Sequence, residues 1–280
     1  MNKAGIAYDN YYACEINKDA VAVTQANYPA TRQLGNVKEL NGYKLPKIDL
    51  LMGGSPCQDL SRANASGKGI EGARSGLFWE YARILKETNP TYFILENVIM
   101  QRQWTEIIST ELAVEPIEIN SNLVSCQNRR RLYWTNISGI TQPLDKGIVL
   151  RDILLDDSYK NFTDERITKT KKLTKNYVKW DISGKGYYSQ QDRAYFKDGK
   201  ICTLPKTRGS NKLNIVVDYD KDIYRRSCPI EVERYQNVPD NYTDVENLSP
   251  NKRISLLGDG WTVDVIAHLL NKRLSLLCPT

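Results

Sequence analysis

Three short stretches of this 280-residue chain carry a nucleophile, a carboxylate and a cluster of cations at similar points in successive elements. In Gly53-Gly54-Ser55-Pro56-Cys57-Gln58 a cysteine follows a short apolar run. That places its thiol at the carboxyl edge of a sheet, where ligands of open α/β sheets bind. The glycines let backbone approach a substrate closely, and Pro56 stiffens the turn. Read alone, Cys57 is equally a small buried filler, as free cysteines commonly are. Phe93-Ile94-Leu95-Glu96-Asn97-Val98 repeats the geometry, an apolar strand ending in an acid and an amide. By itself Glu96 also suits helix capping or a salt bridge. The third stretch, Gln127-Asn128-Arg129-Arg130-Arg131, opens onto Leu132-Tyr133-Trp134. Strand alternation aims Arg129 and Arg131 to one side, although three solvated arginines would read the same way. A thiol and a carboxylate delivered to one sheet edge suit nucleophilic catalysis with acid–base assistance.

The elements that must position these groups follow from the pattern. Up to about residue 140, strand-like and helix-like segments alternate. Strands are predicted at 11–15, 48–52 and 92–95, and helices at 18–27 and 76–87. On the second helix Leu77, Tyr81, Ile84 and Leu85 share one side. Such alternation predicts a doubly wound α/β fold with a mostly parallel sheet and helices on both faces. From about residue 225 the pattern turns helical, ending in Trp261 to Leu270.

Charge is distributed unevenly. The chain carries a formal +6, but between Lys160 and Lys212 alone 14 Lys and Arg stand against 5 Asp and Glu. The remainder is therefore net acidic. Tyr177, Trp180, Tyr187, Tyr188, Tyr195 and Phe196 interleave with these cations. A solvated basic face accounts for the charge, and a nucleic-acid surface accounts for charge and aromatics together. The six cysteines are widely spaced, with no zinc-like cluster, which fits reduced thiols in a cytoplasmic protein. No stretch reads as a signal peptide and no apolar run reaches membrane-span length, so no membrane partner is expected.

In order and wording, P-C-Q, E-N-V and Q-x-R-x-R resemble motifs IV, VI and VIII of the DNA cytosine-5 methyltransferases. The longer stretch G-G-S-P-C-Q-D-L-S, with Gly76-Leu77-Phe78 after it, is similar to animal de novo enzymes and phage relatives. Arg225 through Tyr242 resembles motif IX, and Gly258-Asp259-Gly260-Trp261-Thr262-Val263 resembles a divergent motif X. The resemblance covers most of the chain outside the basic segment.

The resemblance implies a mechanism. Cytosine C5 is too poor a nucleophile to take a methyl group unaided, so the Cys57 thiolate adds at C6. C5 then attacks the sulfonium methyl of S-adenosyl-L-methionine. Glu96 holds the N3 and exocyclic-amine edge. Arg131, with Arg129 nearby, binds the base carbonyl and favours the thiolate. Loss of the C5 proton releases Cys57, and the base must first leave the duplex stack. Residues 58–74, with Gly67, Gly69 and Gly72, then read as a loop closing over the base. Cofactor contacts carry over to Glu15 (ribose), Ile16 (adenine face), and Asn36 and Val37 (adenine edge). Pro56, Leu77 and Trp261 complete that pocket. The family often has Asp at the Asn36 position and Asn at the Asp259 position. No metal is required.

One family element has no counterpart here. The F-x-G-x-G strand and turn that contact the methionine end of the cofactor are missing, and Met1 to Ile6 resembles the end of the helix after them. The expected fold is thus an α/β methyltransferase lacking its first strand. Residues 1–144 form the catalytic domain, 145–224 an inserted target recognition region, and 225–280 the return to the catalytic domain. Double-stranded DNA is the expected partner, together with a missing N-terminal segment or a second polypeptide. Two readings stay open beside an active enzyme: a catalytically silent DNA-binding or regulatory paralogue, and half of a split methyltransferase. A tRNA cytosine-5 methyltransferase is disfavoured by the long basic segment.

Overall fold

The structure is a computed structural model that describes residues 1–56, 76–155, 161–163, 165–181, 192–204 and 213–270. Cys57 and residues 58–75, including Gly67, Gly69 and Gly72, lie outside the described residues, as do Tyr187 and Tyr188.

The chain starts with a 3-10 turn, Asn2–Ala4, followed by strand β1 (Tyr12–Ala13) and helix α1 (Lys18–Asn27). Asn17 caps α1 by accepting from the Asp19 N–H, as an Asn before a helical run favours. Strand β2 (Arg32–Gln33) lies parallel to β1. Next come β3 (Leu50–Gly54), α2 (Leu77–Thr88), β4 (Tyr92–Val98), α3 (Arg102–Leu112), β5 (Ile117–Asn120) and β6 (Arg130–Thr135). These four strands form one sheet in the order β3-β4-β6-β5. β3 and β4 are parallel, as α2 between them permits, while β4–β6 and β5–β6 are antiparallel. Only residues 121–129 join β5 to β6, too few for a helical crossover. The α/β class expected from sequence therefore holds, with a mixed sheet. Among the described residues no ladder joins the β1–β2 pair to the four-stranded sheet.

Alternation along the strands sends apolar side chains to both faces. Phe93, Leu95, Leu132 and Trp134 meet Phe78, Tyr81 and Ala82 of α2 and Ile108 and Leu112 of α3. Ile94, Ile119 and Tyr133 meet Ala4 and the last described helix, α7, below. Gly53 is needed where β3 passes α2. A Cβ there would come within 2.6 Å of Tyr81 Cδ2 and 2.8 Å of Cε2, and that ring is itself buried. Gly53→Ala is expected to cost about 1–3 kcal/mol by overpacking. A lower urea midpoint at unchanged denaturant slope is the readout, and Gly54→Ala, whose nearest contact would be 3.2 Å, should cost less.

A second sheet is built from β7 (Asn161–Phe162), β8 (Lys172–Leu173), β9 (Tyr177–Lys179), β10 (Arg193–Tyr195), β11 (Asn214–Asp218) and β12 (Ile223–Arg226). Its order is β7-β12-β11-β10-β9-β8, with helix α4 (Glu165–Thr170) inserted in sequence. The aromatics expected to interleave with cations on a binding face are partly core: Trp180 and Tyr195 are buried, beside Ile167, Val178, Tyr224 and Leu213. These rings pack inward, while Lys172 and Lys175 stay exposed. The sheet also runs through Arg226, past the boundary expected at 224.

The chain then forms α5 (Pro229–Tyr235), α6 (Pro250–Asp259) and α7 (Val263–Leu270). A fully buried ion pair ties the second sheet to α5: Arg225 Nη1 and Nη2 donate to Glu231 Oε2 and Oε1 at 3.0 and 2.8 Å. Leu155 joins the same knot, its N–H donating to Glu231 at 3.0 Å and its carbonyl accepting from Arg225 at 3.4 Å. No helix among the described residues is long and apolar enough to cross a membrane.

Candidate active site

The site gathers where β3 and β4 end and β6 begins. Parallel register sets Gly54 level with Glu96, and antiparallel register sets Arg131 opposite Val98. Two-residue alternation then puts Glu96 and Arg131 on the α7 side of the sheet, with Ile94 and Tyr133. Glu96 is only 8% exposed. Its Oε1 lies 2.9 Å from Arg131 Nε, but without the alignment of a hydrogen bond, so that buried oxygen retains acceptor capacity. Its Oε2 accepts from Trp261 Nε1 at 3.1 Å. A side chain at Gly54 would crowd the pair, since its Cβ would sit 3.2 Å from that indole nitrogen and 3.3 Å from Oε2. Burial, with the negative charge of Glu96 adding to it, holds the Tyr133 phenol well above its ordinary range, so it stays neutral beside the pair.

Asn97, next to Glu96, has a job that the sequence did not reveal. Its Nδ2 donates to Ser55 Oγ at 2.9 Å and the Ser55 carbonyl at 3.4 Å. The amide thereby fixes the turn two residues ahead of Cys57. Of the expected site residues, Glu96, Arg131 and Trp261 come into direct contact. Arg129 is directed elsewhere: buried, it donates to the carbonyls of Gly258 (3.3 and 3.4 Å) and Gly260 (2.9 Å), not to the carboxylate. Gln236 is a second unforeseen member, bonding the carbonyls of Leu257 (2.7 Å) and Gly260 (3.3 Å).

The expected cofactor residues form another group. Glu15 and Ile16 follow β1, and Asn36 and Val37 follow β2, so both pairs stand at the carboxyl ends of parallel neighbours. Glu15 Oε1 accepts from the N–H groups of Ile16 and Asn17 at 2.8 and 2.7 Å. Ile16 is 74% exposed, far more than an Ile gains by in water. Asn36 caps a 3-10 turn, accepting from Lys38 N–H, and the Val37 carbonyl accepts from Arg83 at 2.8 Å. Pro56 is exposed and Leu77 half-buried at the start of α2. Among the described residues no hydrogen bond or ion pair joins this group to Glu96 or Trp261.

Known proteins share this sequence pattern and fold. Residues 1–106 match the profile of the C-5 cytosine-specific DNA methylases. The chain is 36% identical to the orphan methyltransferase M.SPRI of Bacillus phage SPR over 165 residues, which is 52% of the chain and 35% of that protein. It is 27% identical to the type II methyltransferase M1.ScrFI of Lactococcus lactis subsp. cremoris, covering 95% of the chain and 72% of that protein. The match thus spans only about a third of the phage relative's length. In fold it resembles the Dnmt2 methyltransferase of S. pombe, with a TM-score of 0.72 at 19% identity over 99% of this chain and 94% of that one. It also resembles the methyltransferase EhMeth of Entamoeba histolytica, with a TM-score of 0.73 at 16% identity over 96% and 90% of the two chains. By sequence motifs, by the profile over residues 1–106 and by these relatives, the chain is similar to the DNA cytosine-5 methyltransferases.

Proposed function

We propose that this chain transfers a methyl group from S-adenosylmethionine to C5 of a cytosine turned out of duplex DNA, through a transient bond between Cys57 and C6. The observation that carries the reading is the buried Glu96 carboxylate. One of its oxygens keeps acceptor capacity, at a strand end level with Gly54 and three residues ahead of Cys57 in sequence. An acceptor so placed suits the exocyclic amine of cytosine, and its burial strengthens that contact. Arg131 balances the carboxylate's charge and stands on the same side for the base carbonyl. Asn97 holds Ser55 and so the backbone leading to the nucleophile.

The residues present fit S-adenosylmethionine. The unshared oxygen of Glu15 suits ribose hydroxyls, and the exposed Ile16 gives an apolar face for adenine. Asn36 and Val37 follow the neighbouring strand, and Pro56, Leu77 and Trp261 would complete the pocket. The cofactor supplies an electrophilic methyl group when bound. Residues 145–224 act as the target recognition region, set between catalytic parts 1–144 and 225–280. Their Lys and Arg excess supplies phosphate contacts.

One observation favours a second reading, a DNA-binding protein without transferase activity: the β1–β2 pair that carries Glu15 and Asn36 shares no ladder with the sheet that carries Glu96. The test is methyl transfer from labelled S-adenosylmethionine to DNA, by this chain and by a version extended upstream or supplied with a second polypeptide. Incorporation at cytosine C5 in any of these forms is expected. DNA binding with no incorporation in all of them replaces the transferase reading with the silent one.

A further inference from the structure

Trp261 does more at this site than fill space, and its surroundings show what. Its indole N–H reaches Glu96 Oε2 at 3.1 Å, while the other carboxylate oxygen faces Arg131. The backbone carrying the indole is fixed on both sides. Before it, the Gly260 carbonyl accepts from Arg129 Nη2 at 2.9 Å and from Gln236 Nε2 at 3.3 Å. After it, Thr262 Oγ1 donates to Gln236 Oε1 at 2.9 Å and Val263 N–H to the Gln236 carbonyl at 3.0 Å. Arg129 lies two residues before Arg131 on the approach to β6. One stretch of chain therefore fixes both contacts of the carboxylate, Arg131 directly and Trp261 through its turn.

We infer that Trp261 is a positioning residue for Glu96, and that Arg129 and Gln236 serve by anchoring its turn. This rests on the reading that Glu96 engages the cytosine edge. A carboxylate on a strand end has rotational freedom about its last side-chain torsions. The indole N–H removes it by pinning Oε2, which leaves Oε1 as the acceptor for the base. Holding an acceptor in place beforehand assists the reaction because no reorganisation is needed as charge develops. The indole's role in the reaction is thus orientation of the acid, in addition to any contact with cofactor.

The test pairs two measurements. In nitrogen-15-labelled protein, the Trp261 indole resonance is identified by its loss in Trp261→Phe. It should move upfield in Glu96→Gln, because the charged acceptor becomes a neutral amide. An unmoved resonance overturns the contact and the proposal with it, whether or not the protein is active. In the form that transfers methyl groups, Trp261→Phe should lower kcat roughly ten- to hundredfold, the worth of a hydrogen bond to a charged group. KM for S-adenosylmethionine should rise by a much smaller factor than kcat falls, since phenylalanine keeps an apolar face toward the cofactor. A raised KM with unchanged kcat overturns the positioning role and leaves the transferase reading standing. Wild-type protein without transfer in any form overturns both, and the two failures are thereby distinguished.

Discussion

Cys57→Ser is expected to lower methyl transfer by on the order of 10⁴-fold or more, with DNA affinity nearly unchanged. A thiol near neutral pH supplies a usable fraction of thiolate, whereas a serine hydroxyl supplies almost none and needs a base beside it. Burial pushes the Cys126 thiol up to about 12, so it stays protonated, and Cys228 is also buried. Serine is nearly isosteric and neutral, so phosphate contacts, which dominate affinity, should persist. Initial rates of labelled methyl incorporation and a mobility-shift titration, run on the same preparation, are the measurements. Transfer at the wild-type rate would remove Cys57 from the mechanism.

The second large effect concerns stability. Glu231→Leu should destabilise the chain by about 3–5 kcal/mol, because it strands the fully buried Arg225 guanidinium without its partner. Glu231 also accepts from the N–H groups of Cys228 and Leu155, both at 3.0 Å, and these donors are orphaned together. Against a total stability of about 5–15 kcal/mol, that loss is enough to leave much of the protein unfolded at physiological temperature. Arg225→Met should cost a similar amount. The double variant should be more stable than either single one, since replacing both charges avoids an unpaired buried ion. Urea unfolding of the four proteins measures the coupling, and simple additivity would mean that the pair is not a unit.

Much of the fold's catalytic half was legible because its periodicities are strong and local. α1 spans the expected Lys18–Asn27, and β4 and α2 fall within a few residues of their predicted limits. Glu96 and Arg131 could be read because strand alternation projects both to one side. Alternation did not show which partners Arg129 takes, because it precedes β6. It donates to carbonyls more than 120 residues away in sequence. Asn97 and Gln236 act through partners that only tertiary folding brings near. The burial of Trp180 and Tyr195 was hidden by their charged neighbours, since short irregular strands give too few residues for a pattern.

The knot of Leu155, Arg225 and Glu231 has a consequence for how such a protein can change. Leu155 and Arg225 stand 70 residues apart in sequence, and both are fastened to one carboxylate. The two are therefore neighbours in space, like the stems of a handle. Exchange between such stems is limited by the core they enclose, because Tyr195, Ile201, Leu204 and Leu213 pack with Cys126, Val232 and Tyr235 outside them. A hybrid that keeps these three residues from one parent, and takes everything between them from another, inherits its joint intact. On the proposed function, readout of DNA then varies at the exposed positions between the stems while Glu96 keeps its surroundings.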